Sequence, residues 1–123
     1  MIEGGCFCGA IRYVVEGGNY LVANCHCSMC RKTSAAAFVT WMVVPTDSFR
    51  YVEGEPKVLR SSENGTRQFC SSCGTPVACI NSTHPEQIDV TIGSLDSPED
   101  YPPTMAVHED TKLPWLSATE TKR

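Results

Sequence analysis

Seven of the eight cysteines in this chain of 123 residues fall into three short clusters, and nothing else in the sequence constrains the fold as strongly. Cys6 and Cys8 form a C-x-C pair, Cys25, Cys27 and Cys30 a C-x-C-x-x-C triplet, and Cys70 and Cys73 a C-x-x-C pair. Four thiolates close a tetrahedral zinc site, whereas three leave a coordination position open. Two pairs and a triplet therefore predict two zinc ions per chain, one structural and one with room for chemistry.

That reading needs free thiols. The N-terminal Met1-Ile2-Glu3-Gly4-Gly5-Cys6 has neither the basic nor the apolar region of a signal peptide. No apolar run approaches the length of a membrane span. The expected compartment is a reducing cytoplasm, where eight cysteines serve as metal ligands or reactive thiols rather than disulfides. Ten Lys and Arg against fourteen Asp and Glu give a net charge of -4 with no basic run, so nucleic acid is not an expected partner, and neither is a membrane. With 41% hydrophobic and 20% charged residues, residues 1–123 read as one globular domain.

The chain reads as short strands broken by turns, an all-β class with long loops and zinc supplementing a modest core. Ile11 to Val15 and Tyr20 to Ala23 are strand-like, and Gly17-Gly18-Asn19 between them predicts a hairpin. The small residues from Cys25 to Ala37 suit a loop and a short helical turn. Phe38 to Val44, apolar on both alternating faces, predicts a strand buried on both sides and ended by Pro45. Phe49 to Val52 and Val58 to Ser61 flank a turn at Gly54-Glu55-Pro56, and Asn64-Gly65 predicts a hairpin. Val77 to Ile80, Ile88 to Ile92 and Met105 to His108 complete the strands, Pro98 to Pro103 is a loop, and Pro114-Trp115-Leu116 is expected to pack near the end of the domain.

In Cys70-Ser71-Ser72-Cys73-Gly74 two thiolates can grip one ion from a tight turn, and the glycine permits the positive φ that turns backbone amides toward sulfur. Cys6-Phe7-Cys8-Gly9 supplies the other half, because neighbouring cysteines in C-x-C rarely meet disulfide geometry with each other. Joined, Cys6, Cys8, Cys70 and Cys73 would staple the N-terminal hairpin to the middle of the chain. The triplet Cys25, Cys27 and Cys30 has no evident fourth partner. Cys79, alone on an apolar strand, reads as a small buried hydrophobe. His26 lies between two ligands and is expected beside the metal, as a hydrogen-bonding neighbour or substrate contact. Arg31 and Lys32 follow the last ligand, where they could offset the charge of three thiolates or hold a substrate carboxylate.

Three ordered segments carry a family resemblance: Gly4-Gly5-Cys6-Phe7-Cys8-Gly9-Ala10-Ile11-Arg12-Tyr13, Cys25-His26-Cys27-Ser28-Met29-Cys30-Arg31-Lys32 and Phe69-Cys70-Ser71-Ser72-Cys73-Gly74-Thr75. With Asp89 to Leu95 and His108 to Trp115, they make the chain resemble the glutathione-dependent formaldehyde-activating enzyme family, also described as centromere-protein-V-like, with the Mss4-like fold. The resemblance implies several small coiled antiparallel sheets. It implies a structural zinc on Cys6, Cys8, Cys70 and Cys73 and a catalytic zinc on Cys25, Cys27 and Cys30. It further implies a carbon–sulfur lyase reaction in which glutathione and formaldehyde combine as S-hydroxymethylglutathione. On that reading Arg31 and Arg12 contact substrate carboxylates, and His26 or His108 relays a proton. This chain departs from the family at Ala35, where members often have glycine. A backbone needing positive φ there would be strained by alanine, and a pocket needing room would be narrowed.

Two other classes fit the same cysteines: a zinc-held scaffold that docks a partner, and a thiol redox or zinc-responsive protein whose open triplet loses its ion on oxidation.

Overall fold

The structure is a computed structural model describing residues 1–116. In chain order its strands are β1 (Ile2–Gly5), β2 (Arg12–Val15), β3 (Leu21–Cys25), β4 (Val39–Pro45) and β5 (Phe49–Glu53). They continue as β6 (Lys57–Arg60), β7 (Gly65–Phe69), β8 (Pro76–Asn81), β9 (Gln87–Thr91) and β10 (Met105–Val107). One short α-helix, α1 (Ser28–Ser34), lies between β3 and β4. The strands form a three-stranded sheet in the order β1-β2-β5 and a seven-stranded sheet in the order β10-β3-β4-β9-β8-β7-β6. The architecture is the all-β, Mss4-like one expected. Its strand pairs are antiparallel except β10 with β3, where Val107 lies opposite Cys25 in parallel register. No helix among the described residues is long and apolar enough to cross a membrane.

The two sheets share one core. Ile2, Tyr13 and Val15 from the first meet Val22, Met42, Val44, Val77, Ile88 and Val90 from the second, and Leu95 closes one end. Tyr13 is fully buried, with its ring centroid 5.1 Å from Phe49 and 6.5 Å from Tyr51. Its hydroxyl is satisfied by Ser94 Oγ at 2.5 Å, which in turn donates to the Thr91 carbonyl at 2.8 Å. Burial of this kind keeps a phenol neutral, and the Tyr13 hydroxyl is pushed up to about 12.

This shared core explains one correction. Gly17-Gly18-Asn19 does not turn a hairpin, because β2 pairs with β1 and β5 while β3 pairs with β4 and β10. The segment instead carries the chain from one sheet to the other. A local pairing of β2 with β3 would leave one layer, and stacking two layers lets Tyr13 and Val15 face Val22 and Met42. Gly54-Glu55-Pro56 makes the third crossing between sheets, after the one from β4 to β5. Gly54 has φ +72, and a Cβ there would stand 2.2 Å from the Ala10 carbonyl oxygen, so only glycine fits. Asn64-Gly65 does close a hairpin, since β6 and β7 pair with Arg60 opposite Thr66. Pro98–Asp100 adds a single 3-10 turn within the expected loop, and at the end Leu116 is buried while Trp115 is 57% exposed.

β4 is covered on both sides, as a run apolar on both alternating faces requires. Met42 and Val44 point into the shared core, and Val39 and Trp41 pack with Cys25 and Cys30 on the opposite face. That opposite face, roofed by α1, carries the cysteine triplet. The helix ends at Ala35 in the left-handed conformation (φ 51, ψ 43), with the Ala36 N–H donating to the Arg31 carbonyl at 3.1 Å. This is the end geometry for which helices favour glycine. The departure at Ala35 is therefore a backbone matter, and its methyl faces a shallow outer groove. Ala35→Gly should raise stability by about 1 kcal/mol, read as a higher urea midpoint at unchanged slope.

Candidate metal centre

The two cysteine pairs occupy the turns of two hairpins, β1–β2 and β7–β8, one in each sheet. The turns are built alike. Cys6 N–H donates to the Ile11 carbonyl at 3.1 Å, and Cys70 N–H to the Thr75 carbonyl at 3.0 Å. In each, the glycine after the second cysteine, Gly9 or Gly74, has φ +82 and donates its N–H back to the first cysteine's carbonyl. Freed amides then point at sulfur: Ile11 N–H lies 3.2 Å from Cys6 Sγ, and the N–H groups of Ser72 and Cys73 each lie 3.4 Å from Cys70 Sγ.

These turns bring the Sγ atoms of Cys6, Cys8, Cys70 and Cys73 within 4.8 Å of one another. Cys6 and Cys8 are 3.6 Å apart, and Cys8 and Cys70 3.7 Å. A tetrahedral ion with metal–sulfur distances of about 2.3 Å, the zinc–thiolate value, needs sulfur–sulfur edges of about 3.8 Å. Two edges already have that length, and the cluster can hold a metal ion. Thr75 links its halves: Oγ1 accepts the Phe7 N–H at 3.0 Å and lies 3.2 Å from Cys73 Sγ. Hydrogen bonds from the Thr75 hydroxyl and backbone hold the Cys73 thiol down to about 5, in the thiolate form that a metal binds.

The triplet lies at the junction of β3 and α1, with Cys25 ending the strand, Cys27 at the helix cap and Cys30 on the buried helical face. Cys25 and Cys30 approach to 3.6 Å. Cys27 lines the same cavity, but among the described residues its sulfur is not gathered as tightly as the four. The bond from Cys25 holds the Cys30 thiol down to about 5, with help from Arg67, whose Nη2 lies 3.6 Å from Cys30 Sγ. The same bond, together with burial, pushes the Cys25 thiol up.

The cavity at the triplet has a volume of about 340 Å³. Its floor is the outer face of the second sheet, where the register sets Val43, Asp89, Cys79 and Arg67 side by side on four adjacent strands. Asp89 is pushed up to about 6 by burial, with the Cys30 thiolate adding to the effect. Cys79 is also raised by burial, and it proves to be part of the cavity wall rather than only a packed hydrophobe.

Of the other anticipated contacts, His108 lines this cavity, from a left-handed backbone at φ 55. His26 does not. It is 2% exposed, with its ring against Phe38 at 5.5 Å, and its backbone ties β10 and the turn at Thr111 to the triplet. Arg31 is used as a strap, donating to the His26 carbonyl at 3.4 Å and the Thr111 carbonyl at 3.3 Å. Arg31 and Lys32 line the outer groove, because the helical turn that buries Cys30 faces them away. Arg12 is on the other sheet, in a two-point pair with Asp96 that leaves it already neutralised. The cation at the triplet is Arg67, which the spacing argument missed. Its signal was available: Arg67 and Asp89 are single charges inside strands, and Asp89 stands between Ile88 and Val90.

The family model described as "Glutathione-dependent formaldehyde-activating enzyme" matches residues 1–111. This chain belongs to that family. A Halomonas elongata protein, provisionally named a glutathione-dependent formaldehyde-activating enzyme, is 30% identical over 113 residues, which span 84% of this chain and 71% of the relative. A crystal structure of a Rhodobacter sphaeroides protein matches with a TM-score of 0.70 at 23% identity, covering 85% of this chain and 99% of that one, and so shares the fold. In this member of the glutathione-dependent formaldehyde-activating family, Cys70→Ser should remove metal from the paired turns and lower the Tm by at least about 10 °C. Cys79→Ser, which leaves the four thiols intact, should keep both the metal and most of the stability. Elemental analysis with thermal unfolding checks both.

Proposed function

We propose that this chain catalyses the reversible addition of a small thiol, glutathione or a close analogue, to formaldehyde or another small aldehyde. It thereby acts as a carbon–sulfur lyase on an S-hydroxymethyl adduct. The observation that carries this reading is the approach of Cys25 and Cys30 to 3.6 Å inside a cavity that also holds a cation and an acid. Family membership supports the thiol and aldehyde classes. Residues 1–123 act as one domain, and its free thiols suit a reducing cytoplasm.

Two zinc ions belong to the proposal. Cys6, Cys8, Cys70 and Cys73 would hold a structural one, and Cys25, Cys27 and Cys30 a catalytic one. When bound at the triplet, zinc would supply Lewis acidity that keeps a substrate thiol ionised near neutral pH. The protein's own residues do the remaining work. Trp41 and Val43 give the cavity apolar walls that exclude water. Its size is at the lower end for small-molecule sites and suits the thiol end of a peptide-like substrate with a one-carbon partner. His108 stands at the cavity as the candidate proton relay.

Thiols add to formaldehyde unaided, so the rate above background is the measure. Cys27→Ser should keep the fold and the metal of the paired turns while losing roughly two orders of magnitude or more of that excess rate. Proton exchange spectroscopy on glutathione and formaldehyde reads it. Unchanged turnover in Cys27→Ser would contradict the proposal.

A further inference from the structure

We propose that Arg67 is a catalytic residue: a terminal N–H of its guanidinium donates to the electrophile's carbonyl oxygen and stabilises the negative charge that develops there as the thiol sulfur adds to carbon. This inference rests on the thiol–aldehyde reading above and assigns the group that receives the oxygen.

Two contacts place the guanidinium. Arg67 Nη2 is 3.6 Å from Cys30 Sγ, so one edge points at a triplet sulfur. Its carbon lies 6.0 Å from the centroid of the Trp41 ring, which braces it from another side. Nε is sealed within the wall, so the terminal nitrogens are the donors left to a substrate. Arg67 and Trp41 also line both the triplet cavity and a neighbouring cleft of about 280 Å³ bounded by Leu59, Phe69 and Pro76. The guanidinium thus works against apolar walls, where a hydrogen bond to a growing charge is stronger than in water.

Charge selects the acceptor. Asp89 lies in the same cross-strand row as Arg67, with Cys79 between them, and the triplet thiols face the same space. A substrate carboxylate entering here would add a full negative charge to a cavity already rich in acidic groups. A carbonyl oxygen is neutral on entry and acquires charge only as the bond forms, which is when Arg67 would act. In the step, the sulfur lone pair forms the carbon–sulfur bond and the carbonyl π pair moves to oxygen. The thiol proton ends on that oxygen, giving the S-hydroxymethyl product. The reverse step returns the proton and breaks the carbon–sulfur bond, with no change of oxidation state.

The test compares wild type, Arg67→Met and Arg67→Lys, each loaded with zinc, using glutathione and formaldehyde as probes and measuring kcat, KM and zinc per chain. The proposal expects Arg67→Met to lose about 100- to 1000-fold in kcat, as removal of one oxyanion donor does elsewhere, with zinc content and the KM for glutathione held. Arg67→Lys should recover part of that loss, because an ammonium restores the charge but not the directed N–H. Arg67→Met with kcat within about threefold of wild type overturns the inference and leaves the thiol–aldehyde reading standing. A raised KM for glutathione at constant kcat overturns it in favour of a carboxylate anchor. Loss of zinc or fold in both variants makes Arg67 structural and overturns it as well. Wild type with no rate above the uncatalysed reaction overturns the functional reading, and this inference with it.

Discussion

The junction of four thiols is the constraint on which the rest of the structure depends. Cys8 and Cys70 lie 62 positions apart in sequence, yet their sulfurs stand 3.7 Å from each other. They join the turn of the β1–β2 hairpin in one sheet to the turn of the β7–β8 hairpin in the other. A domain of this size buries roughly two thirds of the surface its unfolded chain exposes, so an ion held there would add to a modest core by fastening two layers at their turns. Around the junction Ile11 and Cys70 are almost wholly buried, and backbone amides face the sulfurs of Cys6 and Cys70.

With the layers fastened, each face of the second sheet can take a separate task. One face gives Met42, Val44, Ile88 and Val90 to the shared core. The other is free to carry Asp89, Cys79 and Arg67 in a cross-strand row beneath α1. Such a row would be costly on a core-facing surface, because buried charges need partners. Here they face thiols and a cavity. The same division explains why His26, Arg31 and Thr111 form a small network behind the triplet: it pins β10 and the turn after it to the helix without occupying the cavity.

The sequence is most legible where the chemistry is local. A cysteine pair with its following glycine specifies a turn, and both such turns have the positive φ that glycine permits. The short helix after Cys27, the buried β4 and the Asn64-Gly65 hairpin are read from a few neighbouring residues. What is not legible is partner choice between strands. Gly17-Gly18-Asn19 has the chemistry of a hairpin turn, but pairing is decided by layers that residues far along the chain complete. For the same reason Arg31 is the nearest cation to the triplet in sequence, while Arg67 is the cation that reaches it in space. His26 illustrates a related limit, since its neighbours Cys25 and Cys27 face the cavity while its own ring packs on Phe38.

We propose that a closed four-thiol site and an open three-thiol site coexist in this chain. X-ray absorption at the zinc edge, on protein loaded to two zincs per chain, tests it most directly. The account predicts an average of about 3.5 sulfurs per zinc, rising to about 4 when a thiol such as glutathione is added. An average of four before any thiol is added, or an average that does not move on addition, would contradict it.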